Sequence, residues 1–168
     1  STSKGESVLD TLRTLEAMHC DVFVVRHREN GTPQYLANEV GPGVAIINAG
    51  DGNNAHPTQG LLDAYTIRDH LGADFSQHCV LIVGDVLHSR VARSNLHALR
   101  TLGIGELRVC GPHQLLPDDL DGSIRVFEDF DAALPGVDAI MMLRLQKERM
   151  RDGLVLSELA YFRQYGLD

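Results

Sequence analysis

Short apolar runs alternate along this chain with stretches of helical periodicity, and that alternation restricts its fold more than any other feature. Val22–Val25, Val44–Ile47, Cys79–Val83, Leu107–Cys110 and Val137–Leu143 are apolar, short and bounded by turn residues, as buried strands are. Ile124–Phe127 reads as a weaker strand. The segments between them read as helices. Glu6–Cys20 repeats Val8, Leu12, Leu15 and Met18 at helical spacing, with Glu6 and Asp10 in its first turns, where the macrodipole favours acids. Gln34–Val40 and Phe130–Leu134 are shorter. Ser89 opens a helix running to about Leu102, stopped by Gly103 and Gly105, and Ser157 caps a last one carrying Leu159, Phe162 and Tyr165. Strand followed by helix, repeated, predicts α/β units on parallel sheets. The Val44–Ile47 run predicts a strand covered on both faces, and Met141 and Met142 read as core.

The 168 residues suffice for one real core or two small ones. A net charge of −8 argues against nucleic acid as the main partner. The 3 cysteines, Cys20, Cys79 and Cys110, are widely spaced with no CxxC, which favours reduced thiols and a cytoplasmic setting. No run is apolar enough to span a membrane and no signal-peptide pattern is present. No histidine spacing matches HExxH, and His27, His70, His78 and His97 read as ordinary surface or helix residues, so no metal is expected. Val83-Gly84-Asp85 lacks GxGxxG, which leaves a nicotinamide site without support, and no cofactor is expected. The chain begins in a polar loop leading into a helix and stops where a helix would hand over to a strand. Both ends are expected to be cut from something longer.

The stretch Val44–Leu71 organises the rest. Its strand is broken by Gly50, Asp51, Gly52, Asn53 and Asn54, and a helix then opens at His56-Pro57 and carries Leu61, Leu62 and Tyr65 on one face. Pro57 suits the first helical position. This puts His56 at the cap and leaves the N–H groups of Thr58 and Gln59 without partners within the helix. A helix start of this kind attracts negative charge. His56 can donate beside it, and Gln59 offers a donor and an acceptor.

Open parallel sheets bind ligands beyond the carboxyl ends of their strands. There the sequence places Arg26 after the first run, His56 and Gln59 after the second, Asp85, His88 and Arg90 after the third, and Arg144 and Gln146 after the last. These groups are expected along one edge. Arginines there match planar anions in forked geometry, which suggests a small polyanionic substrate. Arg28, Lys147 and Arg149 read as solvated or paired with Glu29 and Glu148.

Five stretches in order carry a more specific signal: KGES at Lys4–Ser7, VVRHRENG at Val24–Gly31, NAGDGNNAHPTQGLLD at Asn48–Asp63, VGDVLHSRVARSN at Val83–Asn95 and MLRLQKERM at Met142–Met150. With them the whole chain resembles the catalytic chains of the aspartate carbamoyltransferases, within the transcarbamoylase family. The resemblance implies two α/β domains of parallel-sheet type, both incomplete here. Residues 1–56 would be part of a carbamoyl phosphate domain, 57–71 a linking helix and 72–168 part of an aspartate domain. It implies transfer of the carbamoyl group of carbamoyl phosphate to the amine of L-aspartate, a step of pyrimidine biosynthesis, without metal or cofactor. Arg26, His56, Gln59 and Lys4 would handle carbamoyl phosphate. Lys4 would reach into a neighbouring subunit's site in a homotrimer. Arg90, Arg144 and Gln146 would hold aspartate. Regulatory or dihydroorotase-like subunits are compatible with the family. The family's STRTR phosphate-binding segment and its HPGP or HPLP loop are absent from these residues, so this chain alone is expected to be inactive. Two alternatives are an ornithine carbamoyltransferase, disfavoured by Arg144 and Gln146, and a non-catalytic assembly subunit of the same fold.

Overall fold

In the computed structural model of the chain, residues 7–146 and 157–167 are described. The polypeptide divides into two compact units, Ser1–Gln59 and Gly60–Asp168.

The first unit contains α1 (Val8–Ala17), β1 (Val22–His27), α2 (Thr32–Glu39) and β2 (Ala45–Asp51). The first helix starts at Val8 rather than Glu6, because Ser7 and Asp10 cap it reciprocally. The Ser7 hydroxyl oxygen accepts the Asp10 N–H at 3.1 Å, and the Asp10 carboxylate accepts the Ser7 N–H at 3.3 Å. The two strands pair in parallel, from Val22 beside Ala45 to His27 beside Asp51, with an irregularity between Val25 and His27. Leu12, Phe23 and Leu36 are buried together between the helices and one sheet face. The other face is open: Val24 is 69% exposed and Ile47 42%. The strand expected to be covered on both faces is therefore covered on one. It also extends further than its apolar run, since Asn48–Asp51 continue the ladder.

The chain then forms α3 (Pro57–Leu71), which begins in the first unit and continues into the second. Within the second unit its buried positions are Gly60, Ala64 and Ile67, whereas Leu61, Leu62 and Tyr65 are exposed. Gly60 allows a close approach there, since a Cβ would come within 3.2 Å of the Ser94 carbonyl oxygen. The Asn95 side-chain amide donates to the Asp63 carboxylate at 2.7 Å and links α3 to the next helix.

The remaining elements are β3 (Cys79–Val83), α4 (Arg90–Thr101), β4 (Glu106–Cys110), β5 (Ile124–Phe127), α5 (Phe130–Ala133), β6 (Ala139–Met142) and α6 (Glu158–Tyr165). The sheet order is β5-β4-β3-β6, with every neighbouring pair parallel. The central strand β3 is buried throughout. Its alternate residues feed different layers, as a pleated strand requires. Val80 and Ile82 pack with Val109, Ala92 and Leu99, while Leu81 and Val83 pack with Cys110, Phe130, Ala133 and Tyr165. Met141 joins the first layer. Met142 does not, since the same alternation leaves it 39% exposed. Burial pushes the Cys110 thiol up to about 11, so this cysteine is a packing residue.

One arginine is held inside the sheet. Arg108 on β4 is 7% exposed and clamps Glu106 with two bonds, at 2.8 and 3.0 Å, while donating to the Ala133 and Pro135 carbonyl oxygens at 2.7 Å each. A groove of about 310 Å³ runs between α3 and β6, lined by Asp63, Thr66, Ile67 and His70 on one side and Ala139, Ile140 and Met141 on the other. Among the described residues no helix is long and apolar enough to cross a membrane.

Candidate functional site

In the first unit Arg26 stands near the carboxyl end of β1, and His56 and Gln59 follow β2. Arg26 lies within β1 rather than after it, and its side chain is exposed. His27 is held locally: its Nδ1 accepts the Glu29 N–H at 3.1 Å and lies 2.9 Å from the Thr32 hydroxyl.

The loop that delivers His56 is shaped by Asp51, a residue whose sequence position suggested only turn chemistry. Asp51 is 3% exposed. One carboxylate oxygen accepts the Gly31 N–H at 2.7 Å and the other the Asn54 side-chain amide at 2.9 Å. Its backbone exchanges hydrogen bonds with Ala55, N–H to carbonyl at 2.8 and 3.2 Å, so the loop turns back on itself. Gly52, at φ +46°, donates to the His27 carbonyl at 2.9 Å, and Asn53 donates its N–H to the Asn30 side chain at 2.8 Å. The loop is thereby stitched to the β1–α2 connection before it reaches His56.

Helix α3 opens at Pro57, as its missing N–H predicts. The expectation that the Gln59 N–H is left over is not met: it donates to the His56 carbonyl at 3.0 Å, a tightened first turn. His56 and Gln59 are both half-buried, and His56 Nδ1 stands 3.3 Å from the Thr58 hydroxyl. Lys4 lies outside the described residues, as do Lys147, Glu148 and Arg149.

In the second unit the ends of β3 and β6 adjoin. Val83 pairs with Met142, and the Leu143 N–H donates to the Val83 carbonyl at 2.8 Å. Gly84 follows β3 at φ +120°, and a Cβ there would meet the Tyr161 hydroxyl at 2.9 Å and the Leu143 carbonyl oxygen at 3.0 Å. Only glycine fits this turn.

Asp85 comes next and is fully buried. Its Oδ1 accepts the His88 N–H at 3.1 Å and lies 2.8 Å from His88 Nδ1. Its Oδ2 accepts the Gln146 N–H at 3.0 Å. One carboxylate thus fixes the turn after β3 to the segment after β6. Ser89 caps α4 through its hydroxyl oxygen, which accepts the Ala92 N–H at 3.1 Å, and this sets Arg90 as the first helical residue, 9% exposed. Arg144 is exposed and Gln146 half-buried. They touch through two long bonds of 3.4 Å, guanidinium to side-chain carbonyl and side-chain amide to backbone carbonyl. Arg90, Arg144 and Gln146 therefore sit beyond the ends of two neighbouring parallel strands, as the sequence predicts, and Asp85, which the sequence placed at the same edge without an anchoring role, ties that edge together. The available signal was Gly-Asp directly after the most buried strand, a position with no solvent to hold a carboxylate.

Forked cations and amides at the ends of neighbouring parallel strands, without a GxGxxG turn, fit a binder of small carboxylates or phosphates. Residues 1–69 match the family described as aspartate/ornithine carbamoyltransferase, carbamoyl-P binding domain. The chain is 64% identical to the aspartate carbamoyltransferase catalytic subunit of Xanthomonas campestris pv. campestris (strain B100), over 99% of this chain and 53% of that protein. It is 63% identical to that of Stenotrophomonas maltophilia (strain R551-3), with the same coverage. The chain spans about half the length of the curated relatives it matches. Its fold is similar to the catalytic subunit of M. jannaschii aspartate transcarbamoylase, with TM-score 0.74 and 35% identity over 90% of this chain and 52% of that one. It is also similar to Trypanosoma cruzi aspartate transcarbamoylase in complex with N-(phosphonacetyl)-L-aspartic acid, with TM-score 0.74 and 30% identity over 98% and 56%. The chain is thus similar to the transcarbamoylases, and the relatives named here are all aspartate carbamoyltransferases.

Proposed function

We propose that the whole protein of which these residues are part is an aspartate carbamoyltransferase. It transfers the carbamoyl group of carbamoyl phosphate to the amine of L-aspartate, giving N-carbamoyl-L-aspartate and phosphate. The observation that carries this reading is the trio Arg90, Arg144 and Gln146 beyond the ends of β3 and β6, a cationic set suited to two carboxylates. The second unit is accordingly the aspartate-binding part. The first unit, with Arg26, His56 and Gln59, serves carbamoyl phosphate, and α3 links the two.

The chemistry follows from the donors. The neutral amine of aspartate attacks the carbamoyl carbon, the bond from that carbon to the phosphate oxygen breaks, and the departing phosphate takes the amine proton. Negative charge grows on the carbonyl oxygen as the carbon becomes tetrahedral. His56 and Arg26 donate to that oxygen, and Gln59 holds the carbamoyl amide nitrogen. Fixed donors aimed at developing charge lower the barrier more than they bind the ground state. Holding the two reactants in line supplies much of the remainder. Residues of this chain need no metal or cofactor for these roles. Lys4 serves a neighbouring subunit's site, in a trimer located in the cytoplasm.

The test is carbamoylation by a full-length protein carrying this sequence, with aspartate and ornithine offered side by side at saturating carbamoyl phosphate. Aspartate turnover is expected. Preference for ornithine, or no turnover with either, overturns the reading.

A further inference from the structure

Helix α6 touches the Asp85 turn through a residue that the site reading leaves without a task. Tyr165 is 5% exposed and donates its hydroxyl to the Glu128 carbonyl at 2.7 Å. Tyr161, one turn earlier, packs on it with ring centroids 5.2 Å apart. The Tyr161 hydroxyl oxygen is buried, yet among the described residues it has no hydrogen-bond partner. An unmet buried hydroxyl is costly, and native proteins keep few of them without a reason. This one rests against Gly84, the residue immediately before Asp85.

Asp85 has acceptor capacity to match. His88 occupies Oδ1 with two contacts, and Gln146 occupies Oδ2 with one. A carboxylate offers about four lone-pair directions, so a place remains on Oδ2. Burial, and after it the charge of Asp85, push the Tyr161 phenol up to about 12, which keeps it a donor at any physiological pH. The bonds that join Arg144 to Gln146 are both long, at 3.4 Å.

We propose that Tyr161 is a positioning residue of the dicarboxylate half-site, its hydroxyl moving onto Oδ2 of Asp85 when a ligand draws in Arg144 and Gln146. The proposal rests on the second unit being the aspartate-binding part. While unpaired, the hydroxyl raises the free energy of its arrangement. With ligand it is satisfied, and that difference favours the occupied state. Asp85 is then held by a donor from α6 that grips no ligand itself, so the Gln146 backbone stays fixed while the side chains beyond it bind.

The experiment is Tyr161→Phe in the full-length protein, alone and combined with Asp85→Asn. Phenylalanine keeps the ring packing and removes only the oxygen. The melting temperature without ligand is expected to rise by roughly 2–4 °C. The KM for aspartate is expected to rise about 5-fold, with the KM for carbamoyl phosphate unchanged. In the Asp85→Asn background the same change is expected to add nothing to the aspartate KM. A packing role alone would leave the aspartate KM unmoved, and that result overturns the proposal, as does full additivity in the double variant. Wild-type protein that ignores aspartate overturns the functional reading and this proposal with it. Active wild type with an unaltered Tyr161→Phe aspartate KM overturns the proposal alone.

Discussion

The backbone N–H of Gln146 donates to the carboxylate of Asp85 at 3.0 Å, across a sequence separation of 61 residues. That bond closes the end of β6 onto the end of β3, and His88 closes the same carboxylate from its own turn. Asp85→Ala would leave these donors unmet inside the protein. We expect a loss of about 1–3 kcal/mol in urea unfolding, together with an aspartate KM raised about 10-fold. Asp85→Asn, which keeps one acceptor oxygen, should lie between wild type and alanine. Wild-type stability in Asp85→Ala would show that the carboxylate anchors nothing.

His56 and Arg144 should separate by kinetic constant. His56 acts on charge that exists only in the transition state, so His56→Ala is expected to lower kcat about 100-fold with little change in either KM. Arg144 binds a carboxylate present throughout, so Arg144→Ala is expected to raise the aspartate KM about 10- to 100-fold. Steady-state kinetics of the full-length protein, varying each substrate with the other saturating, measures both. Identical profiles for the two variants would remove the division of labour proposed for the units.

Gly52 tests the loop that carries His56. Its φ of +46° is strained for a residue with a side chain, and a Cβ would run into the Asn30 side chain that receives the Asn53 N–H. Gly52→Ala is expected to destabilise the protein by about 1–3 kcal/mol and to lower kcat, by displacing the loop ahead of His56. Circular dichroism during urea unfolding reports the first effect and initial rates the second. An unaltered aspartate KM should accompany both.

The Glu106–Arg108 clamp predicts acid sensitivity. Arg108 beside it, and then Arg125 at 2.7 Å, hold the Glu106 carboxyl down at about 2. A carboxyl whose folded pKa is depressed contributes stability above its ordinary pKa, and that contribution drains away as pH falls toward the folded value. The window is therefore roughly pH 4.5 down to pH 2. Glu106 is partly solvated, and screening reduces the contribution to about 1–2 kcal/mol. Glu106→Gln should remove it at pH 7 and flatten the pH dependence of unfolding within that window. A variant that keeps the wild-type slope there would exclude the clamp as its source.

Element type was legible because it is local. Five apolar runs gave strands, and Ser89, Pro57 and Ser157 marked helix starts that the structure reproduces. The start of α1 was readable too, in Ser7-Val8-Leu9-Asp10, although helical spacing alone pulled it back to Glu6. Strand ends were harder, since β2 continues through Gly50 and Asp51, whose preference for turns yields to pairing with β1. Which face of α3 is buried was not local either: Leu61, Leu62 and Tyr65 share a face, yet Gly60, Ala64 and Ile67 make the contact because Ser94 approaches closely.

The order of residues therefore determined an α/β chain with parallel strands, the carboxyl-end positions of Arg26, His56, Gln59, Arg90, Arg144 and Gln146, and the family motifs in which they stand. It did so because periodicity, caps and turn chemistry act over a few residues. Tertiary structure alone decided that Asp51 and Asp85 are buried anchors while Asp121 on a surface turn is not, that Arg108 is enclosed, and that Tyr161 lies on the Asp85 turn. A carboxylate in a turn looks the same in sequence whether water or a distant N–H satisfies it. Only the fold brings Gly31 to Asp51 and Gln146 to Asp85, and burial then makes those hydrogen bonds obligatory.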